Sequence, residues 1–422
     1  MKATSGRLFI EDIFRFKARV VMEEITVVKP VFVADFKCVG SECPDHCCKE
    51  WNISLDKKTV SRYLNSAKIE IRNIASENIT ITKKSPNEWG AMKFAANGNC
   101  AFMDDDKLCK VHKTLGEKGL SSTCSTYPRK VRKFSHSADH SVMISCPEAA
   151  KQLLTRPDSM LFQQTSVLHA TKENKPKVNQ EHKLINLMSA NLIKFSQGSG
   201  AVGLYSIAML FMHMEKINHE GGGSIERLES YYLSIVDSIA SGSVARSISG
   251  LKNNYELQWA LLLRLQTYFS TKVSARSVKT LRYYINKLVY IQTEGAKEGD
   301  VASSMARLNN AWNEKVIPWL AERPHLMSNY LQYRIYHDNF PGRGGSNPLA
   351  CLYLLSAEWF FIKSLIAACV ELVGYVEEND VINIIYSFHS LTTHTSSSSA
   401  AFCAEIDKVK VNDDLSLIYL LK

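Results

Sequence analysis

The stretch Phe36-Lys-Cys-Val-Gly-Ser-Glu-Cys-Pro-Asp-His-Cys-Cys-Lys-Glu-Trp51 places four cysteines, Cys38, Cys43, Cys47 and Cys48, within eleven positions. Four more follow at Cys100, Cys109, Cys124 and Cys146, so eight of the eleven cysteines lie in the first 146 residues of a 422-residue chain. Thiols gathered this closely hold a metal, a metal cluster or a disulfide framework. Spacings of three and four residues let a tight loop turn two sulfurs onto one centre. Zinc needs four tetrahedral ligands. A four-iron cluster needs four thiolates, or three if one iron stays open. Neighbouring side chains diverge, so the adjacent pair Cys47-Cys48 suits a larger cluster, or two sites, better than one mononuclear metal.

The texture of the chain changes near residue 150. Before it, the pattern is mixed. Val27, Val28, Val31, Phe32 and Val33 read as a short strand around Pro30. Residues 56–73 have helical spacing, Ile79 to Lys83 alternates like a strand, and Lys93 to Ala95 is its expected partner across a turn at Pro86-Asn87. After it, helical periodicity takes over. Helices are expected from about Leu184, over Leu204–Asn218, Ile225–Ala240, Tyr255–Ser270 and Ser277–Thr293. Met305–Leu320, Met327–His337, Leu349–Val376 and Val381–Leu391 complete the series, with Ser396 to Ser399 as a loop. Short gaps between helices make antiparallel neighbours. The expected fold class is therefore mixed, mainly α. A small Cys-rich α+β metal-binding unit over residues 1–150 precedes an all-α helical bundle over 151–422.

Composition is that of a globular protein, 45% hydrophobic and 22% charged. Met1 to Ile25 carries charges without an apolar core, and Glu358, Lys363 and Glu371 interrupt the apolar run Cys351–Val376. No signal peptide or membrane span is expected, and the default compartment is the reducing cytoplasm, where clustered cysteines favour metal over disulfide. The net charge of +9 is spread out. No finger-like His pair or concentrated basic helix accompanies it, so a nucleic-acid partner is not expected.

Other motifs read more weakly. Cys109-x2-His112 has a metal-like spacing, and His46 sits inside the cysteine run. Cys351, Cys369 and Cys403 lie in apolar helical surroundings and read as buried small hydrophobes. Gly198-Ser-Gly-Ala-Val-Gly203 matches a dinucleotide fingerprint, but that fingerprint needs a preceding strand, and the residues before it have helical period. It reads as a helix–helix loop. The basic run Pro128-Arg-Lys-Val-Arg-Lys133 after Cys124 suits a carboxylate-bearing cofactor, with Arg129 and Lys130 as the candidate contacts.

Together, Phe36 to Trp51, Gly98-Asn-Cys-Ala-Phe102, Cys109 and Leu120-Ser-Ser-Thr-Cys-Ser-Thr-Tyr-Pro-Arg129 resemble the flagellin lysine-N-methylase family. The cysteine-rich part is similar to the wider CxxCxxCC group of zinc- or iron-chelating domains, although its first gaps are four and three rather than two and two. Tyr330 to Pro341 fits the family's helical C-terminal part. The resemblance implies methyl transfer from S-adenosylmethionine to lysine ε-amines of flagellin, with an iron–sulfur cluster (4Fe-4S, with zinc as the alternative) as cofactor. Candidate ligands are Cys43, Cys47, Cys48 and Cys124, followed by Cys38, Cys100, Cys109 and Cys146. Tyr127 and Asp45 are candidate bases by their proximity to the motif. A radical route is not required, since a neutral amine attacks a sulfonium methyl directly, and Cys48 spoils the Cys-x3-Cys-x2-Cys that radical enzymes use. The residues alone leave an alternative open: a non-enzymatic metal-binding or electron-transfer module whose helical part docks a partner.

Overall fold

The computed structural model describes residues 21–51, 53–171, 175–220, 225–272, 275–297, 300–342, 347–393, 396–411 and 413–422. Strands are β1 (Val21–Pro30), β2 (Ser54–Leu55), β3 (Ile79–Ser85), β4 (Glu88–Met92), β5 (Arg129–Lys133), β6 (Ser137–Val142) and β7 (Phe162–Thr171). They form a four-stranded sheet in the order β5-β6-β1-β7 and a three-stranded sheet β2-β4-β3. β1 runs parallel to β6, from Thr26 opposite Ser137, and antiparallel to β7 along its whole length, from Val21 opposite Thr171 to Pro30 opposite Phe162.

Pro30 ends β1 rather than lying inside a strand. It has no N–H for the ladder and its fixed φ suits a helix entry, so Val31–Asp35 turns into a short helix. The expected strand around Pro30 is thus displaced toward the N-terminus. The turn at Pro86-Asn87 is where it was expected, but the partner of β3 is Glu88–Met92, immediately before Lys93 to Ala95. A tight hairpin pairs the residues next to its turn first.

The helices follow the sequence closely. Ile225–Ala240 and Tyr255–Ser270 have the expected bounds. Residues 305–320 depart from it. There the helix Val301–Ala311 passes through a π turn, Trp312–Val316, before Ile317–Ala321. Pro318 lacks the N–H that an α-helical ladder needs at that point. The polar run Ser396 to Ser399, expected as a loop, begins the helix Ser396–Asp407 instead. Serine is tolerated in a first turn, where its N–H has no partner within the helix.

Among the described residues, Pro348–Val373 is the one helix long and apolar enough to cross a membrane, and it is almost entirely buried inside the protein. Asn347 caps its start by accepting from the Leu349 N–H, Pro348 occupies its first position, and Gly374 ends it at φ +93°. Glu358 and Lys363, which interrupt its apolar run, are buried with it.

Among the described residues the buried apolar side chains form a large core, a smaller one, and a third, minor cluster of Ile25, Val27 and Ala138. The smaller core contains Ile53, Leu55, Tyr63, Ile71, Phe102 and Val111, with Cys48, Trp51, Cys109 and Cys124 packed against it. The larger core contains Phe32, Phe36, Val142, Ile144 and Leu153 together with the helices out to Leu421. Residues from Cys48 to Cys124 thus pack around the smaller core, Val142 at the end of β6 packs in the larger one, and Ile25, Val27 and Ala138 pack together between β1 and β6. β7, after residue 150, completes the sheet because a ten-residue strand such as β1 needs a partner for its second edge.

Candidate metal centre and its anchor

After Val31–Asp35 the chain makes a 3-10 turn, Gly40–Glu42, then runs irregularly through Cys43, Cys47 and Cys48. Backbone pairing brings the later cysteines to this loop. The Cys100 N–H donates to the Cys48 carbonyl at 2.8 Å, and the Glu50 N–H to the Gly98 carbonyl at 2.9 Å. Met103 bridges to Cys109, which caps the short helix Lys110–Leu115. Ser121 accepts from the Cys124 N–H at 3.1 Å, fixing the helix Ser122–Thr126.

The thiols sense one another. Cys48 donates to Cys47 and holds it down, to about 7, whereas Cys48 itself is pushed far up by that bond and by burial. Burial raises Cys100 to about 12 and Cys124 to about 11, and raises Cys109 as well. Cys47 and Cys109 each act on the titration of the others in this set. Cys43 and Cys146 lie toward the helical body, both raised by burial and both facing Arg276, with Cys146 pushed up to about 12. Cys38 is exposed, its sulfur accepting from the Gly40 N–H at 3.4 Å. His46 is half-buried and His112 exposed.

Five soft thiols, Cys47, Cys48, Cys100, Cys109 and Cys124, thus share one neighbourhood at the edge of the small core. That donor chemistry fits a zinc ion or an iron–sulfur cluster. Among the described residues, no three His, Cys, Asp or Glu side chains converge as a closed ligand shell. Cys351 and Cys369 are buried in the large core, as their apolar surroundings predict, and Cys403 is half-buried.

The residue that ties this loop to the helical body is Arg276, which no sequence signal marks. It is 2% exposed. Its guanidinium donates to the Tyr127 phenol at 2.7 Å and to the carbonyls of Asp45 and Ser145 at 3.0 Å each. The Asp45 carboxylate lies 3.4 Å from its Nε and also accepts from the Ser277 hydroxyl. The Arg276 N–H donates to the Glu50 carbonyl at 3.2 Å. Trp51 packs at a tilt against Tyr127, with ring centroids 5.1 Å apart, and its indole N–H donates to the Cys47 carbonyl. Asp45 and Tyr127 are engaged in this anchor, and burial raises the Tyr127 phenol well above its usual range. Their geometry is that of anchoring groups rather than of proton acceptors for a substrate.

Arg129 and Lys130 diverge. Adjacent residues of a strand point to opposite faces. The Arg129 guanidinium covers the Phe36 ring at 5.5 Å, and Lys130 lines a cleft of about 730 Å³ between β5 and the helical body. Arg132 lines the same cleft and donates to the carbonyls of Tyr336 and His337.

Residues 186–420 match the FliB lysine N-methylase C-terminal domain, and residues 37–147 match the CxxCxxCC zinc- or iron-chelating domain. The chain is 37% identical to a lysine-N-methylase of Salmonella typhimurium over 407 residues, which is 95% of this chain and 100% of that relative. It is 49% identical over 140 residues to the flagellar biosynthetic protein FliU of Salmonella muenchen, covering 33% of this chain and 83% of that one. It is 36% identical over 172 residues to FliV of the same organism, covering 39% and 95%. No solved structure matches.

Proposed function

Because the chain belongs to the lysine-N-methylase family, we propose that it transfers methyl groups from S-adenosylmethionine to lysine ε-amines of flagellin, in the cytoplasm. The observation that carries this reading is similarity along the entire length of a lysine-N-methylase, cysteine unit and helical body together. The flagellar names of two further relatives support flagellin as the substrate.

The chemistry asks for positioning. A lysine amine has a reference pKa of about 10.4 and attacks only when neutral. Desolvation and nearby cations favour that form. In-line displacement at the sulfonium methyl then depends on alignment. The cofactor of this reading is a four-iron cluster held by thiols among Cys47, Cys48, Cys100, Cys109 and Cys124. When bound, such a group ionises its thiol ligands and cross-links the loops that carry them. Arg276 holds the Cys43–Glu50 loop, Tyr127 and Ser145 against the helical body. In this way the order of the cysteine unit is passed to the cleft wall.

The test is anaerobic incubation of the metal-loaded protein with unmodified flagellin and isotope-labelled S-adenosylmethionine, read by intact-protein and peptide mass. Labelled methyl increments on lysine are expected. Absence of transfer from metal-replete protein would remove the reading.

A further inference from the structure

β5 (Arg129–Lys133) is the outer strand of the four-stranded sheet, with β6 on its inner side. In an antiparallel ladder, pairs that exchange hydrogen bonds alternate with pairs that do not. Contacts at both ends of β5 fix which residues are which. The Met143 N–H donates to the Pro128 carbonyl at 2.7 Å, and the Phe134 N–H donates to the Ser137 carbonyl at 2.8 Å. The register between them is unbroken. Even-numbered residues therefore bond inward, to β6. Arg129, Val131 and Lys133 turn their N–H and C=O groups outward, and among the described residues no hydrogen bond reaches those groups. Ser135 is next in the outward row, and its N–H donates to the Pro176 carbonyl at 3.0 Å. The chain's own segment thus pairs with one end of this edge and leaves residues 129–133 open.

The same three residues share one face of the strand, because side chains repeat every second position. That face reads cation, apolar, cation. All three side chains are exposed, Val131 by 44%. Arg132, on the opposite face, pairs with Asp139 at 3.1 Å. Among the described residues Arg129 and Lys133 reach no carboxylate. Lysine and arginine keep such an edge from pairing with a second copy of itself, which would set cation opposite cation. The same charges favour a strand whose acidic residues fall opposite them. Tyr127 and Pro128 lead directly into β5, and Arg276 holds Tyr127, so the edge has a fixed place beside the cysteine unit.

We propose that this edge is a docking strand for the substrate protein; that the partner is the substrate rests on the methyltransferase reading above. An extended segment with acidic, apolar and acidic residues at every second position adds to β5 and lengthens the sheet. Main-chain hydrogen bonds give such an addition its affinity, and alternate side chains give it specificity. The outward N–H and C=O groups of Arg129, Val131 and Lys133 enter the new ladder. Arg129 and Lys133 each meet a carboxylate, and Val131 meets the apolar residue between them.

The test uses the full-length, metal-loaded protein and a fluorescein-labelled peptide, Thr-Glu-Thr-Val-Thr-Glu-Thr, followed by fluorescence anisotropy. One comparison peptide has both Glu replaced by Lys. A second is N-methylated on the Glu and Val amides, which keeps the charge and removes strand pairing. Val131→Pro deletes an outward N–H and spares the inward ladder, and proline is tolerated on an edge strand. Lys133→Glu reverses one charge of the edge. The acidic peptide is expected to bind the wild type. Binding of the N-methylated peptide, and of the acidic peptide to Val131→Pro, is expected to be at least about tenfold weaker. The Lys-containing peptide, and the acidic peptide with Lys133→Glu, should lose at least about tenfold as well. Unmodified flagellin should displace the labelled peptide, and Val131→Pro should raise KM for flagellin while kcat is retained. Metal content and thermal unfolding of Lys133→Glu should equal those of the wild type. If Val131→Pro fails to fold, the N-methylated peptide on the wild type decides strand pairing. Equal binding of the acidic and N-methylated peptides would overturn strand addition, as would retention of a single-stranded oligonucleotide in preference to the peptide. No peptide binding by a protein that transfers methyl to flagellin would overturn the docking strand and leave the methyltransferase reading standing. Pairing-dependent peptide binding without transfer would uphold the docking strand and remove the methyltransferase reading.

Discussion

Arg276, in the turn just before the helix Val278–Lys297, donates a 2.7 Å hydrogen bond to the phenol of Tyr127, which follows Cys124. The two residues are 149 positions apart. Through this contact, and the bonds from Arg276 to the Asp45 and Ser145 carbonyls, a loop with little regular structure acquires a fixed position.

Replacing Arg276 by Met should therefore do more than loosen a surface. It leaves three acceptors and the Asp45 carboxylate buried without their partner. Loss of one member of a buried pair costs on the order of 3 kcal/mol. Chemical denaturation should show that loss, and limited proteolysis should cut first within residues 38–51. An unchanged midpoint and cleavage pattern would show that the anchor lies elsewhere.

The thiols differ in their expected contribution to metal content. Cys47→Ala and Cys124→Ala each remove a sulfur from the shared neighbourhood and should sharply reduce bound iron or zinc, measured by plasma mass spectrometry on anaerobically prepared protein. Cys351→Ala, in the large core, should retain the wild-type metal content while losing some stability. Full metal content in Cys47→Ala would exclude that thiol from the site.

His337 gives the fold a pH dependence. Its Nδ1 meets the Ser141 hydroxyl at 2.7 Å, and burial holds the imidazole down, to about 3 against a usual 6.5, with Lys130, Arg334 and Arg132 acting in the same direction and Asp338 against it. The unfolded chain takes up this proton below about 6.5 while the folded chain does not. The contribution is thus fully present above that pH and declines as pH falls toward 3. Between pH 7 and pH 5 the loss amounts to about 2 kcal/mol. Urea unfolding at the two pH values should show a steeper decline for wild type than for His337→Gln. Equal slopes would mean that this imidazole is not buried neutral.

Gly200 tests the fingerprint-like segment 198–203. A Cβ at this position would lie 2.4 Å from the indole nitrogen of Trp359, itself 2% exposed. Gly200→Ala should cost about 1–3 kcal/mol through overpacking and leave donor binding unchanged. Weaker binding of an adenine nucleotide in this variant, with wild-type stability, would instead restore a nucleotide role for the motif.

Much of the helical part was legible because its signal is local. Tyr255–Ser270 and Ile225–Ala240 carry apolar residues at helical spacing, and each helix must bury that stripe whatever its neighbours are. The strand expected around Pro30 was misplaced because β1 is defined by its partners, Ser137 and Phe162 to Thr171, which lie more than a hundred residues away. Ser396 to Ser399 misled for a similar reason. Serine at a helix start and serine in a loop look alike when the packing of the following Phe402 and Ile406 is unseen.

The sequence by itself determined that thiols would crowd one unit, that helices would form the rest, and to which family both belong. Spacing and composition are properties of the chain and survive without a fold. Only the tertiary structure decided which thiols face one another, that Arg276 clamps Asp45, Ser145 and Tyr127, and that Lys130 and Arg132 line one cleft with the helical body. Such contacts join residues far apart in the chain. They exist only where two buried cores press together and every buried polar group must find its partner there.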